Sequence, residues 1–253
     1  MPTVVVMATT GRLPISRPGT APSLLRAVLF DMDGTLVETE QYWGEAMFEL
    51  AERLGGRMSE SARAATVGST MRRSMTILHA DLGLDRTEDE LLADARWVED
   101  RTAQLLGAGI SWCPGARELL TAVRAAGLRT ALVTTTPRRL ADIVLATIRT
   151  DLDGDPFDVT VCGDEVPALK PDPAPYRQAM AALGVQPADC VVVEDSESGV
   201  AAGLAAGVTV LGVPSVQKIE RVEGLTLRDG LVGVDVPVLA DVLAGRGLAD
   251  GAA

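Results

Sequence analysis

Residues 27–40 of the chain read AVLFDMDGTLVETE. The stretch begins with four apolar residues and continues at once into two carboxylates, Asp31 and Asp33, and a glycine, Gly34. An apolar run of this length without alternation is typical of a parallel strand that helices cover on both faces. The two carboxylates therefore follow the strand end. In an open α/β sheet, that edge is where ligands bind.

Short apolar, β-branched runs recur along the rest of the chain. After the first strand they lie at residues 130–133, 159–161, 191–193 and 208–211. Helical patterns alternate with them, for example at 115–126 and 173–183, and each of these two ends at a glycine. This alternation predicts right-handed βαβ units in a doubly wound, mostly parallel α/β fold with a Rossmann-like sheet.

The connection between Asp31 and Thr134 is much longer than the roughly 30 residues of a βαβ unit. Within it, residues 40–112 show no strand pattern but four helix candidates, at 41–54, 59–66, 70–82 and 87–106. The last begins with a capping box, Thr87 and Glu90. We expect 40–112 to form a helical cap domain inserted into an α/β core. The core would comprise 26–39 and 113–253, preceded by a flexible, proline-rich tail at 1–25.

The composition of the chain excludes some classes of binding partner and indicates a cellular compartment. The 253 residues carry a net charge of −12, which argues against nucleic-acid binding because that requires many cationic side chains. No apolar run reaches the ~18 residues of a membrane span. An odd number of cysteines without metal-site spacing suggests a reducing compartment, so we expect a cytoplasmic protein. We also expect a monomer or weak dimer. Only two of the 23 cationic residues are lysines, Lys170 and Lys218.

Chemically reactive side chains follow four of the predicted strands, and a parallel sheet brings these ends to one edge. They are Asp31 and Asp33, then Thr134 and Thr135, then Lys170, then Glu194 and Asp195. Several carboxylates at one place repel one another unless a cation lies between them, and Mg²⁺ prefers oxygen ligands. A lysine and a hydroxyl beside them suit an anionic group. The set therefore predicts Mg²⁺-dependent phosphoryl transfer.

The same residues resemble the four motifs of the haloacid dehalogenase superfamily. Residues 30–40 (FDMDGTLVETE) resemble its first motif and residues 193–199 (VEDSESG) its fourth. Thr134 after Leu132-Val133 is similar to the second motif, and Lys170-Pro171 to the third. A helical insertion between the first two motifs is the cap arrangement of the subfamily that contains β-phosphoglucomutase and sugar-phosphate phosphatases.

The resemblance implies a role for each motif residue. Asp31 is the expected nucleophile, and Asp33 is the expected acid and base, which also argues against haloacids as substrates. Thr134 and Lys170 are expected to hold the phosphoryl oxygens. The implied Mg²⁺ ligands are Asp31, Asp33 through its carbonyl, and Asp195, with Glu194 assisting directly or through water.

Substrate selection is expected to involve the cap. Trp43 stands where mutases of this subfamily carry histidine, which favours a hydrolase, although packing within the cap explains a tryptophan equally well. Arg72 and Arg73 follow a glycine-containing loop and could bind a second phosphate or sugar hydroxyls. Thr135 is expected to contact the substrate from the core side.

The predicted function is a Mg²⁺-dependent phosphatase that hydrolyses a small phosphorylated metabolite, such as a sugar phosphate, through an aspartyl-phosphate. A β-phosphoglucomutase-like phosphomutase is the nearest alternative. A phospho-accepting regulatory module would also place aspartates, a threonine and a lysine on a doubly wound sheet, but it would have neither a cap nor an acid beside the acceptor. An inactive relative is disfavoured because every motif residue is present.

Overall fold

A computed structural model describes residues 24–215 and 218–246. Its strands are β1 (Ala27–Phe30), β2 (Arg129–Val133), β3 (Val159–Val161), β4 (Cys190–Glu194), β5 (Thr209–Gly212) and β6 (Leu225–Leu227). They form one parallel sheet in the order β3-β2-β1-β4-β5-β6. Every residue of the central strands β1 and β4 is buried, as a sheet covered on both faces requires.

Four helices form the cap between β1 and β2. They are α1 (Glu40–Arg53), α2 (Glu60–Thr66), α3 (Met71–Asp81) and α4 (Glu88–Leu106). Their apolar faces enclose a cluster of their own, which includes Met47, Leu50, Met75 and Val98. The predicted capping box is present at the start of α4, where Thr87 and Glu90 cap each other's backbone amides.

In the part of the chain that the structure describes, five α-helices complete the α/β core. They are α5 (Ala116–Ala125), α6 (Arg138–Asp151), α7 (Ala174–Leu183), α8 (Glu197–Ala205) and α9 (Val236–Leu243). Helices α5, α6 and α9 pack on one face of the sheet, and α7 and α8 pack on the other. The predicted doubly wound α/β fold with helices on both faces is confirmed.

Two chain segments join the cap to the core. They lie side by side, because Val37 and Trp112 form an antiparallel bridge and the Glu38 amide donates to the Ser111 carbonyl at 2.9 Å. A second contact joins α4 to α6, where Arg139 pairs with Asp100 at 3.0 Å. The cap is thereby held above the carboxyl ends of the strands.

The flexible tail predicted for 1–25 lies outside the described residues except for Leu24 and Leu25. Within the described part of the chain, no helix is long and apolar enough to cross a bilayer.

Candidate active site

Asp31 and Lys170 meet at the carboxyl edge of the sheet. Asp31 directly follows β1, and its Oδ1 accepts a hydrogen bond from Lys170 Nζ at 2.7 Å. The ammonium also donates to the Val133 carbonyl at 2.8 Å and to Glu194 Oε1 at 2.6 Å. All three donors of Lys170 are thus satisfied although its side chain is only 2% exposed.

Burial and neighbouring charges shift the pKa values of both Lys170 and Asp31. Burial tends to lower the pKa of Lys170, but the charges of Asp31 and Glu194 outweigh it and raise that pKa well above its ordinary value. Burial, followed by the charge of Glu194, raises the pKa of Asp31. The site therefore contains more negative charge than Lys170 alone can balance.

Glu194, at the end of β4, is completely buried and forms a rigid support for Lys170. Its Oε1 accepts from Lys170 and from Tyr176 Oη at 2.9 Å. Its Oε2 accepts from the amides of Asp195 and Ser196 and from the Ser196 hydroxyl, at 3.0–3.2 Å. These five hydrogen bonds fix the carboxylate in place.

Three threonine hydroxyls hold the carboxylate of Asp33. Thr39, at the start of the cap, donates to Oδ1 at 2.5 Å. Thr134 and Thr136 donate to Oδ2 at 3.2 and 2.7 Å. Thr134 additionally accepts the amide of Thr136 at 3.0 Å. Asp33 therefore lies on the cavity wall between the core and the cap, beside the residue predicted to be the nucleophile.

Asp31, Glu194 and Asp195 form a group suited to a hard divalent cation. One carboxylate oxygen of each lies within 4.8 Å of the others. Burial, and then the charge of Glu194, raises the pKa of Asp195 to about 7. A cation would relieve this repulsion, and an all-oxygen donor set is the one that Mg²⁺ prefers. The residues present thus fit the expected metal.

Gly34 makes room for this group. Its φ of +80° favours glycine, and a Cβ there would lie 2.3 Å from Asp195 Oδ2. Ser215 reaches the same carboxylate from the loop after β5 and donates to Asp195 Oδ2. Of the described turn residues, none donates a backbone amide to the Asp33 carbonyl, so that oxygen remains available as a further ligand.

A cavity of about 350 Å³ lies above these residues and below the cap. Asp31, Lys170 and Asp195 lie at its floor, and Asp33 and Thr135 line it from the core side. From the cap, Trp43 lines it while packing against both the cap cluster and the core cluster. A cavity of this size suits a small substrate.

Arg72 and Arg73 do not line this cavity. The Arg72 guanidinium is 65% exposed and binds the Glu88 carboxylate, while Arg73 is exposed. Both follow Met71, the first residue of α3, and it is Met71 that faces the cavity. Their proposed contact with substrate remains untested.

Arg63 is the cap cation that does reach the cavity, and sequence reasoning did not identify it. From α2, its Nη2 donates to Glu40 Oε1 at 2.6 Å and to the Glu40 carbonyl at 2.9 Å. Its Nη1 donates to Thr66 Oγ1 at 3.0 Å. Thr39, Thr136 and Tyr176 were also missed. Thr39 lies within the first motif and Thr136 directly follows Thr135, so the two threonines had a positional signal, whereas Tyr176 had none.

A family model for haloacid dehalogenase-like hydrolases matches residues 25–207. The chain belongs to this family. The predictions that it is an enzyme and a hydrolase of this superfamily are thereby confirmed. The four strand ends described above carry the motifs on which the family resemblance was based.

Two curated relatives and one solved structure illustrate the range of the family. A phosphorylated carbohydrates phosphatase of Thermotoga maritima is 36% identical over 208 residues, covering 81% of this chain and 88% of the relative. A phosphoglycolate phosphatase of Rhodospirillum rubrum is 35% identical over 194 residues, covering 74% and 78%. CbbY from Rhodobacter sphaeroides in complex with xylulose-(1,5)bisphosphate superposes with a TM-score of 0.74 at 26% identity, covering 85% of this chain and 99% of that one.

Proposed function

We propose that this chain is a Mg²⁺-dependent phosphatase that hydrolyses a small phosphorylated carbohydrate through an aspartyl-phosphate on Asp31. The observation that supports this most directly is the contact between Asp31 and Lys170 at the floor of a capped cavity, beside a three-carboxylate group. The name of the Thermotoga maritima relative supports a phosphorylated carbohydrate as the substrate.

In the first half of the proposed reaction, Asp31 attacks phosphorus. A carboxylate oxygen of Asp31 forms a bond to phosphorus while the bond from phosphorus to the leaving oxygen breaks. Asp33 gives its proton to that oxygen, so the alcohol leaves neutral. Lys170 orients the Asp31 carboxylate, and Thr134 and Thr136 hold Asp33 at the cavity wall.

In the second half, Asp33 acts as a base. It takes a proton from water, whose oxygen bonds to phosphorus as the bond between phosphorus and Asp31 breaks. Inorganic phosphate leaves and Asp31 is restored. The cap limits access of bulk water to this step.

Mg²⁺ would be held by Asp31, Asp195 and the Asp33 carbonyl, with Glu194 close by, and it would neutralise charge on the phosphoryl oxygens. We also propose that the enzyme works in the cytoplasm. Cys113, Cys162 and Cys190 are free and buried, which agrees with a reducing compartment. The expectation of a monomer or weak dimer stays a prediction.

The test measures inorganic phosphate released from a set of sugar phosphates. We expect turnover with Mg²⁺, none in excess EDTA, and a loss of at least about 10³-fold in Asp31→Asn, because an amide is a poor nucleophile. Asp89→Asn, an exposed aspartate of α4, is the matched control and should retain activity.

Two results would contradict this proposal. Asp31→Asn with more than about a tenth of the activity would show that Asp31 is not the nucleophile. Isomerised sugar phosphate in place of free phosphate, dependent on added bisphosphate, would show a phosphomutase.

A further inference from the structure

The cavity contains unequal numbers of negative and positive side chains. Among the described residues that line it, the cations are Lys170 and Arg63, and the carboxylates are Asp31, Asp33, Glu40, Glu99, Asp164 and Asp195. The metal and the transferred phosphoryl group account for the carboxylates on the floor. Glu40, Glu99 and Asp164 lie outside that group and determine the potential that the rest of the substrate meets.

Both cations are already paired with carboxylates of the protein. The three donors of Lys170 are occupied by Asp31, Glu194 and the Val133 carbonyl. Arg63 already binds Glu40 through both its side chain and its carbonyl. Arg72, which could in principle bind a second phosphate, is paired with Glu88 outside the cavity.

Releasing Arg63 to bind a substrate anion would be unfavourable. The Arg63 and Glu40 side chains are 16% and 29% exposed, so the pair is largely removed from water. A carboxylate in such a place becomes costly once its partner is taken away. Burial already raises the pKa of Glu40 in spite of Arg63, so Glu40 has little solvent to replace that partner.

Apart from Glu99, the other cap residues that line the cavity are neutral. The hydroxyl-bearing residues Thr66, Ser69, Thr70 and Ser74 line the cavity together with Trp43. Hydroxyl groups can both donate and accept, as the alcohol groups of a sugar do. An aromatic side chain adds apolar contact area for the carbon skeleton.

We infer that the enzyme selects phosphate monoesters whose remaining part is uncharged, such as polyol and sugar monophosphates, and that the Glu40–Arg63 pair makes it discriminate against bisphosphates and phosphorylated carboxylic acids. This inference rests on the proposed function. It separates the chain from the Rhodospirillum and CbbY relatives, because phosphoglycolate and xylulose bisphosphate each carry a second anionic group.

The test compares kcat/KM for two pairs of substrates. 2-Hydroxyethyl phosphate and 2-phosphoglycolate differ only in an alcohol against a carboxylate, and glucose 6-phosphate and glucose 1,6-bisphosphate differ by one phosphate. We expect at least about a tenfold preference for the less charged member of each pair, the size of effect that one or two nearby charges produce. The preference should narrow as salt is raised, whereas a purely steric exclusion would not respond to salt.

Three Glu→Gln variants locate the origin of the preference. Glu40→Gln leaves Arg63 with uncompensated charge and should reduce the preference by about tenfold. Glu99→Gln should reduce it less, because Glu99 already pairs with Arg139 from the core. Glu88→Gln makes the same substitution in a pair outside the cavity and should leave the preference unchanged.

The possible outcomes separate this inference from the function on which it rests. Equal kcat/KM values within both pairs, or Glu40→Gln and Glu99→Gln preferences that match that of Glu88→Gln, would overturn the inference while leaving the phosphatase intact. Should Glu40→Gln fail to fold, Glu99→Gln alone decides. Failure to hydrolyse any of the four substrates would overturn the proposed function and the inference with it.

Discussion

Gly199 makes the tight support around Glu194 possible, and we predict that Gly199→Ala is severely damaging. Gly199 lies in the first turn of α8. A Cβ at this position would lie 1.7 Å from Glu194 Oε1 and 1.9 Å from its Cδ. Because non-bonded carbon and oxygen atoms do not approach closer than about 3 Å, the carboxylate or the helix must move by more than 1 Å.

The size of the effect follows from the bonds that Glu194 makes. Moving Oε1 by this amount breaks or weakens its bonds to Lys170 and Tyr176, which are 2.6 and 2.9 Å long. A buried hydrogen bond to a charged group contributes about 1.5–3 kcal/mol, so we expect a loss of about 3–5 kcal/mol. For a chain of this size, that corresponds to a Tm lower by roughly 6–20 °C.

Activity should fall with stability, because Lys170 loses one of the carboxylates that position it beside Asp31. We expect kcat for p-nitrophenyl phosphate to fall at least about tenfold, measured well below the Tm of the variant. Gly203→Ala, on the same helix, is the matched control. Its Cβ would lie 2.9 Å from a methyl group of Val210, which can shift, so kcat should be unchanged.

A double-mutant cycle tests whether the overlap with Glu194 is the cause. Glu194→Asp shortens the side chain by one methylene and withdraws the carboxylate from the new methyl group. It should therefore cost less in the Gly199→Ala background than in the wild type, with a coupling of about 1 kcal/mol or more. A Gly199→Ala variant whose Tm stays within 2 °C of wild type, or strictly additive effects in the cycle, would refute this reasoning.

Three further predictions concern neighbours of this network. Tyr176→Phe removes one donor to Glu194 and should lower the free energy of unfolding, measured by urea titration, by about 1.5–3 kcal/mol. The kcat should stay within a few-fold of wild type because Lys170 keeps its contacts. An unchanged free energy of unfolding would contradict this prediction. Asp195 has a pKa raised to about 7, above its unfolded value, so its stabilising contribution is complete at low pH and is lost as pH rises through 7. The protein in EDTA should therefore lose up to about 1.4 kcal/mol per pH unit between about pH 4 and 7 and little more above that, and Mg²⁺ should raise the Tm more at pH 8 than at pH 5; an EDTA Tm that increases with pH over this range would be inconsistent with this. With p-nitrophenyl phosphate, Asp33→Asn should release a burst of p-nitrophenol and then stall, because a good leaving group needs no acid but the attacking water still needs a base. Steady, near-wild-type turnover in rapid-quench assays would show that Asp33 only shapes the turn.

The motif residues could be predicted to lie together because the argument needed only strand order and direction. Apolar runs identified β1, β2, β3, β4 and β5, and a parallel sheet brings their carboxyl ends to one edge. Asp31, Lys170 and Glu194 accordingly meet. Strand β6 was not predicted, since Leu225–Leu227 is a three-residue, half-buried edge strand whose pattern is too short to recognise.

The cap side of the site was harder to predict, because it depends on which face of each helix is turned towards the core. Arg72 and Arg73 follow Met71 on α3 and project away from the cavity that Met71 lines. Arg63 sits in the sequence ESARAAT, which has the composition of a solvated helix. Only the folded cap shows that Arg63 turns towards Glu40 of α1 and lines the cavity.

The geometry of this site explains why residue 170 is a lysine in a chain whose cationic residues are nearly all arginines. Nearly every other cation is an arginine, and the second lysine, Lys218, is exposed. Lys170 must satisfy three acceptors from separate strand ends: Asp31 after β1, the Val133 carbonyl of β2 and Glu194 of β4. A compact ammonium can direct three hydrogens to such points, whereas the planar guanidinium fork of arginine would need a larger and flatter space.

This arrangement also bears on how Lys170 takes part in the reaction. Since all of its hydrogens are already used within the protein, it can bind a phosphoryl oxygen only by exchanging one of its present acceptors. In the proposed reaction, Asp31 is the acceptor whose charge is consumed when its carboxylate becomes an acyl phosphate. A hydrogen bond from Lys170 can then pass from Asp31 to the transferred group, so that one ammonium serves both the free nucleophile and the phosphorylated one.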